Sequence, residues 1–423
     1  MTDFVRGFGS FVASKVEDHP ERARRWLSTA YSLVGWKAAH FPDRQDPRAR
    51  SAMNAATGRC MAACLRHPER AVLVNIFFPC ELLHALDLVP MAPEALACYV
   101  TNTACEHPFV QCAEDRGVPE TYCSYHKVLL GMAESGVLPR PRLILNTSMA
   151  CDANHLTFRR LAENYQVPHR TVEVPYDGGG DALEYVAGQL RDLVPTLEEA
   201  AGKRLDPERL KAVVASSGRS LDWYRTYLDR RAARHVSDSL SGELLGMMNN
   251  HILLGTPESE AANRLLCQEV SALPEGGGGK RILWVHTMPN WQASMQAFFN
   301  HSLRCEVVGS DMCFDALVPM DPERPCESLA RRLVHSLYRG PAEERIAGNL
   351  AWARRLRADG IVVFCHWGCK QTLGMAAQAK REFEAAGFPT LLLDGDGCDS
   401  RNVTDGQMAT RVGAFLELLE GQA

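Results

Sequence analysis

The chain has 423 residues, 46% of them hydrophobic and 23% charged, with a formal net charge of -5. That balance suits a globular protein of two or three domains with ample core, and its mild acidity gives no case for nucleic acid or an anionic membrane as partner. No apolar run approaches the roughly 18–20 residues that span a bilayer, and MTDFVRGFGSFVASKVEDHPERARRW lacks the apolar stretch of a signal peptide, so a soluble cytoplasmic protein is expected.

Residues 1–70 read as a helical segment, with helical spacing in WLSTAYSLVGW and SAMNAATGRCMAACL. AVLVNIFF, 71–78, is a continuous apolar run that suits a buried parallel strand, closed by Pro79. CELLHALDL predicts a short helix and PRLILNTSMACD a strand leading into a polar turn; an amphipathic helix, HLTFRRLAENY, and a further strand, HRTVEVPYDGGGD, follow. Strand alternating with helix over 71–185 predicts an α/β domain with a parallel sheet. Residues 186–275 are mainly helical and end in the glycines of PEGGGGKR. A second α/β domain, 276–423, runs through RILWVHTMP, CEVVGSDMC, GIVVFCHWGC and PTLLLDGDGCD to a terminal helix, ATRVGAFLELLE.

The 15 cysteines stand out. In a cytoplasmic chain, thiols are either inert core residues or ligands. Cys80, Cys151, Cys369 and Cys398 each follow the carboxyl end of a predicted strand, where open α/β sheets bind ligands. Cys398 is expected at an exposed strand end, whereas Cys267, inside NRLLCQEV, reads as packing. Cys105 and Cys123 lie in the irregular stretch between the first two predicted strands; in CSYHK the thiol has hydroxyl and cationic neighbours that stabilise thiolate. Soft thiolates select zinc, copper(I) or iron–sulfur clusters, and single thiols this scattered suit a cluster clasped between domains better than a zinc site built on CxxC pairs. Cys313 or Cys365 could replace one of the six. His286, His366, Asp399 and Arg401 are candidate proton donors, and Trp291 and Trp367 candidate pocket walls; each has a structural reading of equal weight. GGGGKR lacks the upstream glycine and hydroxyl residue of a P-loop, so any ATP energy comes from another protein.

FPCELLHALDLVP, CSYHK, the strand ending in Cys151-Asp152, HWGCKQ and GQMATRVGAFLE resemble the 2-hydroxyacyl-CoA dehydratase and benzoyl-CoA reductase superfamily, from about residue 70 to the C-terminus. The resemblance implies two α/β domains of Rossmann or flavodoxin type with a cluster between them. It also implies a homodimer, a small-molecule substrate and a separate ATP-hydrolysing iron–sulfur activator that delivers low-potential electrons. In ordinary dehydratase subunits three cysteines, corresponding here to Cys123, Cys151 and Cys369, hold one [4Fe-4S] cluster. Cys80, Cys105 and Cys398 fall in segments similar to the double-cubane branch, in which six cysteines hold an [8Fe-9S] assembly, and that branch is the expectation taken. A [4Fe-4S] dehydratase subunit and a non-catalytic electron or cluster carrier are the alternatives. The terminal helix departs from the family's TRLEAFLE at Val412 and Gly413, which touches helix stability (about 0.5–1 kcal/mol for an interior Gly) rather than ligation.

Overall fold

The computed structural model describes residues 3–421. Three helices, Asp3–Ala13, Pro20–His40 and Arg48–Arg66, open the chain. The second and third pack closely where Gly35 meets Gly58: a Cβ on Gly58 would stand 2.9 Å from the Tyr31 carbonyl, so the missing side chain sets the helix separation.

The first sheet holds β1 (Ala71–Val74), β2 (Val89–Met91), β3 (Leu143–Thr147) and β4 (His169–Val172), all parallel, in the order β2-β1-β3-β4. The second holds β5 (Lys280–Val285), β6 (Cys305–Ser310), β7 (Gly360–His366) and β8 (Thr390–Gly395) in the corresponding order β6-β5-β7-β8, again all parallel. Both sheets are covered by helices, which is why β1, β3 and β7 are buried along their whole length and read as unbroken apolar runs. Between the two sheets in sequence lie the helices Ala182–Ala201, Pro207–Arg231, Leu240–His251 and Pro257–Ala272. The terminal helix, Asp405–Gly421, tolerates Gly413 and buries Val412. Among the described residues no helix is long and apolar enough to cross a membrane.

Two strands differ from the sequence reading. β1 stops at Val74, four residues short of the apolar run, because Asn75 leaves the ladder to bond Thr147: its amide donates to Thr147 Oγ1 (3.0 Å) and its oxygen accepts the Thr147 N–H (3.0 Å). Ile76 and Phe77 thereby turn off the sheet. β2 was not expected; it is three residues long at the sheet edge, where Pro90 is tolerated.

In each sheet the chain passes from the first strand outward on one side and returns to build the other. The pairs β1/β3 and β5/β7 are therefore topological switch points, where helices leave in opposite directions and a crevice opens at the strand carboxyl ends.

Candidate active site

A cavity of about 320 Å³ lies between these two crevices. Ile76 and Phe77 reach it from the end of β1, Cys151 from β3, His286 and Thr287 from β5, and His366 and Cys369 from β7, while Cys123 and His126 enter from the helix Ser124–Glu134. The first half thus supplies Cys98, Cys123 and Cys151 and the second half Cys369; Cys123, Cys151 and Cys369 are the three that stand at helix starts.

Each of the three thiols is the residue just before a helix. Cys123 precedes Ser124–Glu134, Cys151 precedes Asp152–Tyr165 and Cys369 precedes Lys370–Ala385. Three positive helix ends with unpaired first-turn N–H groups surround the cavity, which favours negative charge there. Gly368 permits the close approach of the halves: at φ +79° it carries the chain past Cys123, and a Cβ would stand 2.6 Å from the Cys123 backbone nitrogen. In the free protein, burial first, then the neighbouring Cys151 and Cys369, hold the Cys123 thiol well above its ordinary range; burial, with Cys369 next, pushes Cys151 up to about 12. Both thiols therefore carry protons that a bound metal must displace.

The histidines have defined roles. His366 Nδ1 accepts the Gly397 N–H (3.1 Å), which places its proton on Nε2, 3.4 Å from Cys123 Sγ. Burial lowers its pKa, so the ring is a neutral donor to sulfur. His126 Nε2 stands 3.5 Å from Cys151 Sγ, its Nδ1 is buried without a partner, and burial drives its pKa down to about 3. His286 lies at φ +84°, a strained conformation for a residue with a Cβ, and its Nδ1 is likewise buried and unpartnered. Its backbone is fixed from behind: the His286 N–H donates to Asp311 Oδ1 (2.8 Å). Asp311 in turn is held by Arg345 and by the Tyr338 hydroxyl (2.9 Å). Arg345 also reaches Gln371 and Thr372 in the first turn after Cys369, so one buried cation ties β5, β6 and a thiol-bearing helix together.

Glu94 was missed by the sequence reading. It opens the helix Pro93–Asn102, where an acidic residue reads as an ordinary dipole partner. In the structure it lines the cavity; Oε1 accepts the Ile76 N–H (3.4 Å), Oε2 is buried with no partner, and burial pushes its carboxyl up to about 7. Cys98, one helical turn on, lines the same cavity.

The remaining candidates lie elsewhere. Cys80 packs with Sγ against the Phe78 carbonyl, near Cys60 and Cys64. Cys105 is fully buried beside Thr103 Oγ1 (3.1 Å). Cys398, expected at an exposed strand end, is fully buried because the loop after β8 folds back against the helix Pro93–Asn102, with Sγ 2.9 Å from Thr101 Oγ1. Arg401 is spent on Glu114 and Asp399, where with Lys127 it clasps the two halves. Trp291 donates to the Asp396 carbonyl and Trp367 to that of Glu120; neither lines the cavity. Cys313 and Cys365 are buried off the cavity as well, with Sγ turned to the Glu243 and Val363 carbonyls respectively. Among the described residues no three His, Cys, Asp or Glu side chains gather tightly enough to hold a single metal ion; the thiols stand around a cavity rather than a point.

The sequence pattern described as "2-hydroxyglutaryl-CoA dehydratase, D-component" matches residues 75–419. The chain belongs to that family. Its relatives include the (R)-phenyllactyl-CoA dehydratase alpha subunit of Clostridium sporogenes, 23% identical over 81% of this chain and 88% of the relative. The (R)-2-hydroxyisocaproyl-CoA dehydratase alpha subunit of Clostridioides difficile is 21% identical over 81% and 88%. A benzoyl-CoA reductase subunit of Thauera aromatica is 22% identical over 80% and 86%. Members of the family are components of dehydratase and reductase enzymes, and the chain is such an enzyme component.

Proposed function

We propose that this chain is the cluster-bearing component of a 2-hydroxyacyl-CoA dehydratase or acyl-CoA reductase, with one [4Fe-4S] cluster held by Cys123, Cys151 and Cys369. The observation that carries the reading is that these three thiols, from both halves of the chain, each at a helix start, share the wall of one cavity. The donor set fits: soft thiolates suit iron–sulfur clusters, and three of them leave one iron free for a non-protein ligand. Bound there by Cys123, Cys151 and Cys369, the cluster would supply low-potential one-electron chemistry to the cavity.

The chain's own residues do the rest. The helix starts and the His366 Nε2–H offset the negative charge of cluster and thiolates. The apolar wall of Ile76, Phe77 and Tyr338 excludes water from the acyl group. Glu94, with its raised carboxyl and free Oε2, takes or returns a proton at the substrate. By the family resemblance, electrons come from a separate ATP-hydrolysing activator; GGGGKR is no P-loop, so any ATP energy is supplied by another protein. A second subunit of this fold, or a second copy, completes the enzyme; two relatives are the alpha and beta subunits of one dehydratase.

The double-cubane assembly draws on Cys80, Cys105 and Cys398 as well, and those thiols are packed against carbonyls and hydroxyls away from the cavity. Anaerobic reconstitution decides between the two: about four irons and four sulfides per chain is the expected result, and about eight irons restores the six-thiol assembly. Retention of full iron by Cys123→Ser, Cys151→Ser and Cys369→Ser alike would overturn both.

A further inference from the structure

A second cavity, of about 480 Å³, lies on the far side of the helix Pro93–Asn102. Phe8, Trp26, Leu33 and Val34 of the first two helices form one wall, and Leu244 and Met248 of the helix Leu240–His251 form the other. The first wall lies upstream of residue 75, where the family match begins. It is firmly seated: Gly9 lies against the Thr103 carbonyl so closely that no Cβ would fit. No charged side chain lines the cavity; its polar groups are neutral, chiefly the amides of Asn54, Asn102 and Asn290. That composition rejects phosphates and carboxylates and accepts an uncharged chain.

The two cavities meet at one residue. Cys98 is in the wall of both, and the consecutive Met247 and Met248 face the thiol cavity and the second cavity respectively. A small thiol and two flexible thioethers are the side chains most able to yield to a chain passing between them.

We infer that the second cavity is an acyl-chain site, reached past Cys98, that makes this enzyme component selective for apolar acyl groups longer than the thiol cavity alone can hold. The inference rests on the acyl-CoA reading above and adds a substrate class to it. Burying each further methylene strengthens binding by about fourfold.

The test uses the cluster-loaded full chain with two saturated thioesters that lack the 2-hydroxyl and cannot be dehydrated, butyryl-CoA and octanoyl-CoA, and with 1-octanol as a probe free of coenzyme A. Calorimetry should show octanoyl-CoA binding at least tenfold more tightly than butyryl-CoA, and 1-octanol should bind. Ala30→Trp fills the cavity from a half-exposed helix position. It should bring the two thioesters to within about threefold, leave butyryl-CoA unchanged and abolish octanol binding. Thr29→Trp, at an exposed position on the same wall, serves if Ala30→Trp does not fold. Equal binding of the two thioesters by the wild type with no octanol binding overturns the acyl-chain site and leaves the enzyme reading standing. Octanol binding that Ala30→Trp abolishes, with neither thioester bound, overturns the acyl-CoA reading while the apolar-chain site survives. A wild-type dimer that Ala30→Trp dissociates, with thioester selectivity unchanged, overturns the inference in favour of a second copy seated on this face.

Discussion

Gly368→Ala isolates the closure of the two halves over the thiols. Two costs follow from the structure. The residue sits at φ +79°, where an alanine loses about 1–2 kcal/mol relative to its preferred conformations. Its Cβ would also stand 2.6 Å from the Cys123 nitrogen and 2.8 Å from the Cys123 Cα, against backbone that cannot rotate away. Restoring ordinary contact at 3.4 Å moves the Cys369 loop by about 0.8 Å, an overpacking cost of roughly 1–3 kcal/mol. Gly387→Ala is the matched control: φ is +89° and nothing lies within 4 Å, so it carries the backbone cost alone. Both variants should lose stability in urea, Gly368→Ala by the larger amount. Ligand distances in metal sites tolerate only about 0.2 Å, so Gly368→Ala should also load little iron and sulfide and yield it quickly to a chelator, while Gly387→Ala loads normally. If Gly368→Ala takes up and holds iron as well as Gly387→Ala does, the contact between the Cys369 loop and Cys123 does not set the ligand geometry, and the three-thiol site is misplaced.

Cys398→Ser should keep wild-type iron, measured per chain, and lose about 1–2 kcal/mol from the buried contact with Thr101, whereas Cys123→Ser should lose the cluster. Glu94 bears on pH: its folded pKa of about 7 lies above the ordinary 4.5, so the stability it contributes is full below pH 4.5 and is lost as pH rises through 7. Apo Glu94→Gln should accordingly be more stable than wild type at pH 8, by an amount of order 3 kcal/mol, with the gap closing by about pH 4.5; parallel urea curves at both pH values would refute this. Arg345→Met strands the buried carboxylate of Asp311 and should cost about 3–5 kcal/mol, with His286 released from its strained conformation; a loss under 1 kcal/mol in urea would show that Tyr338 and Asn349 suffice to hold Asp311.

The α/β alternation was legible because fully buried parallel strands leave short unbroken apolar runs, as in LILNT and GIVVF. β2 was not, since three residues with a central proline carry no period, and the end of β1 was hidden because Asn75 acts through a side-chain bond to a residue 72 positions away. Cys151 and Cys369 could be placed from the strand-end rule, but the same rule selected Cys80 and Cys398, which end up packed behind the site. Following a strand places a residue near a crevice; which way its side chain points depends on loop geometry, such as the left-handed Ala150 before Cys151 and Gly368 before Cys369, that one sequence does not disclose. Glu94 and Arg401 show the converse: nothing local separates a carboxyl left unpartnered at a cavity from a guanidinium consumed by two carboxylates.

The three proposed ligand thiols, Cys123, Cys151 and Cys369, come from distant points of the chain, with more than 200 residues between Cys151 and Cys369. At ribosomal speeds of about 5–20 residues per second, the first half waits roughly 10–40 seconds for Cys369. Throughout that interval the nascent first half offers Cys123 and Cys151 without Cys369. Metal handed over during synthesis would find only a bidentate site, weak and open to the wrong ion. If the three thiols hold a cluster as proposed, its delivery belongs after release from the ribosome, and a premature stop anywhere before Cys369 should yield a product that no amount of iron can rescue.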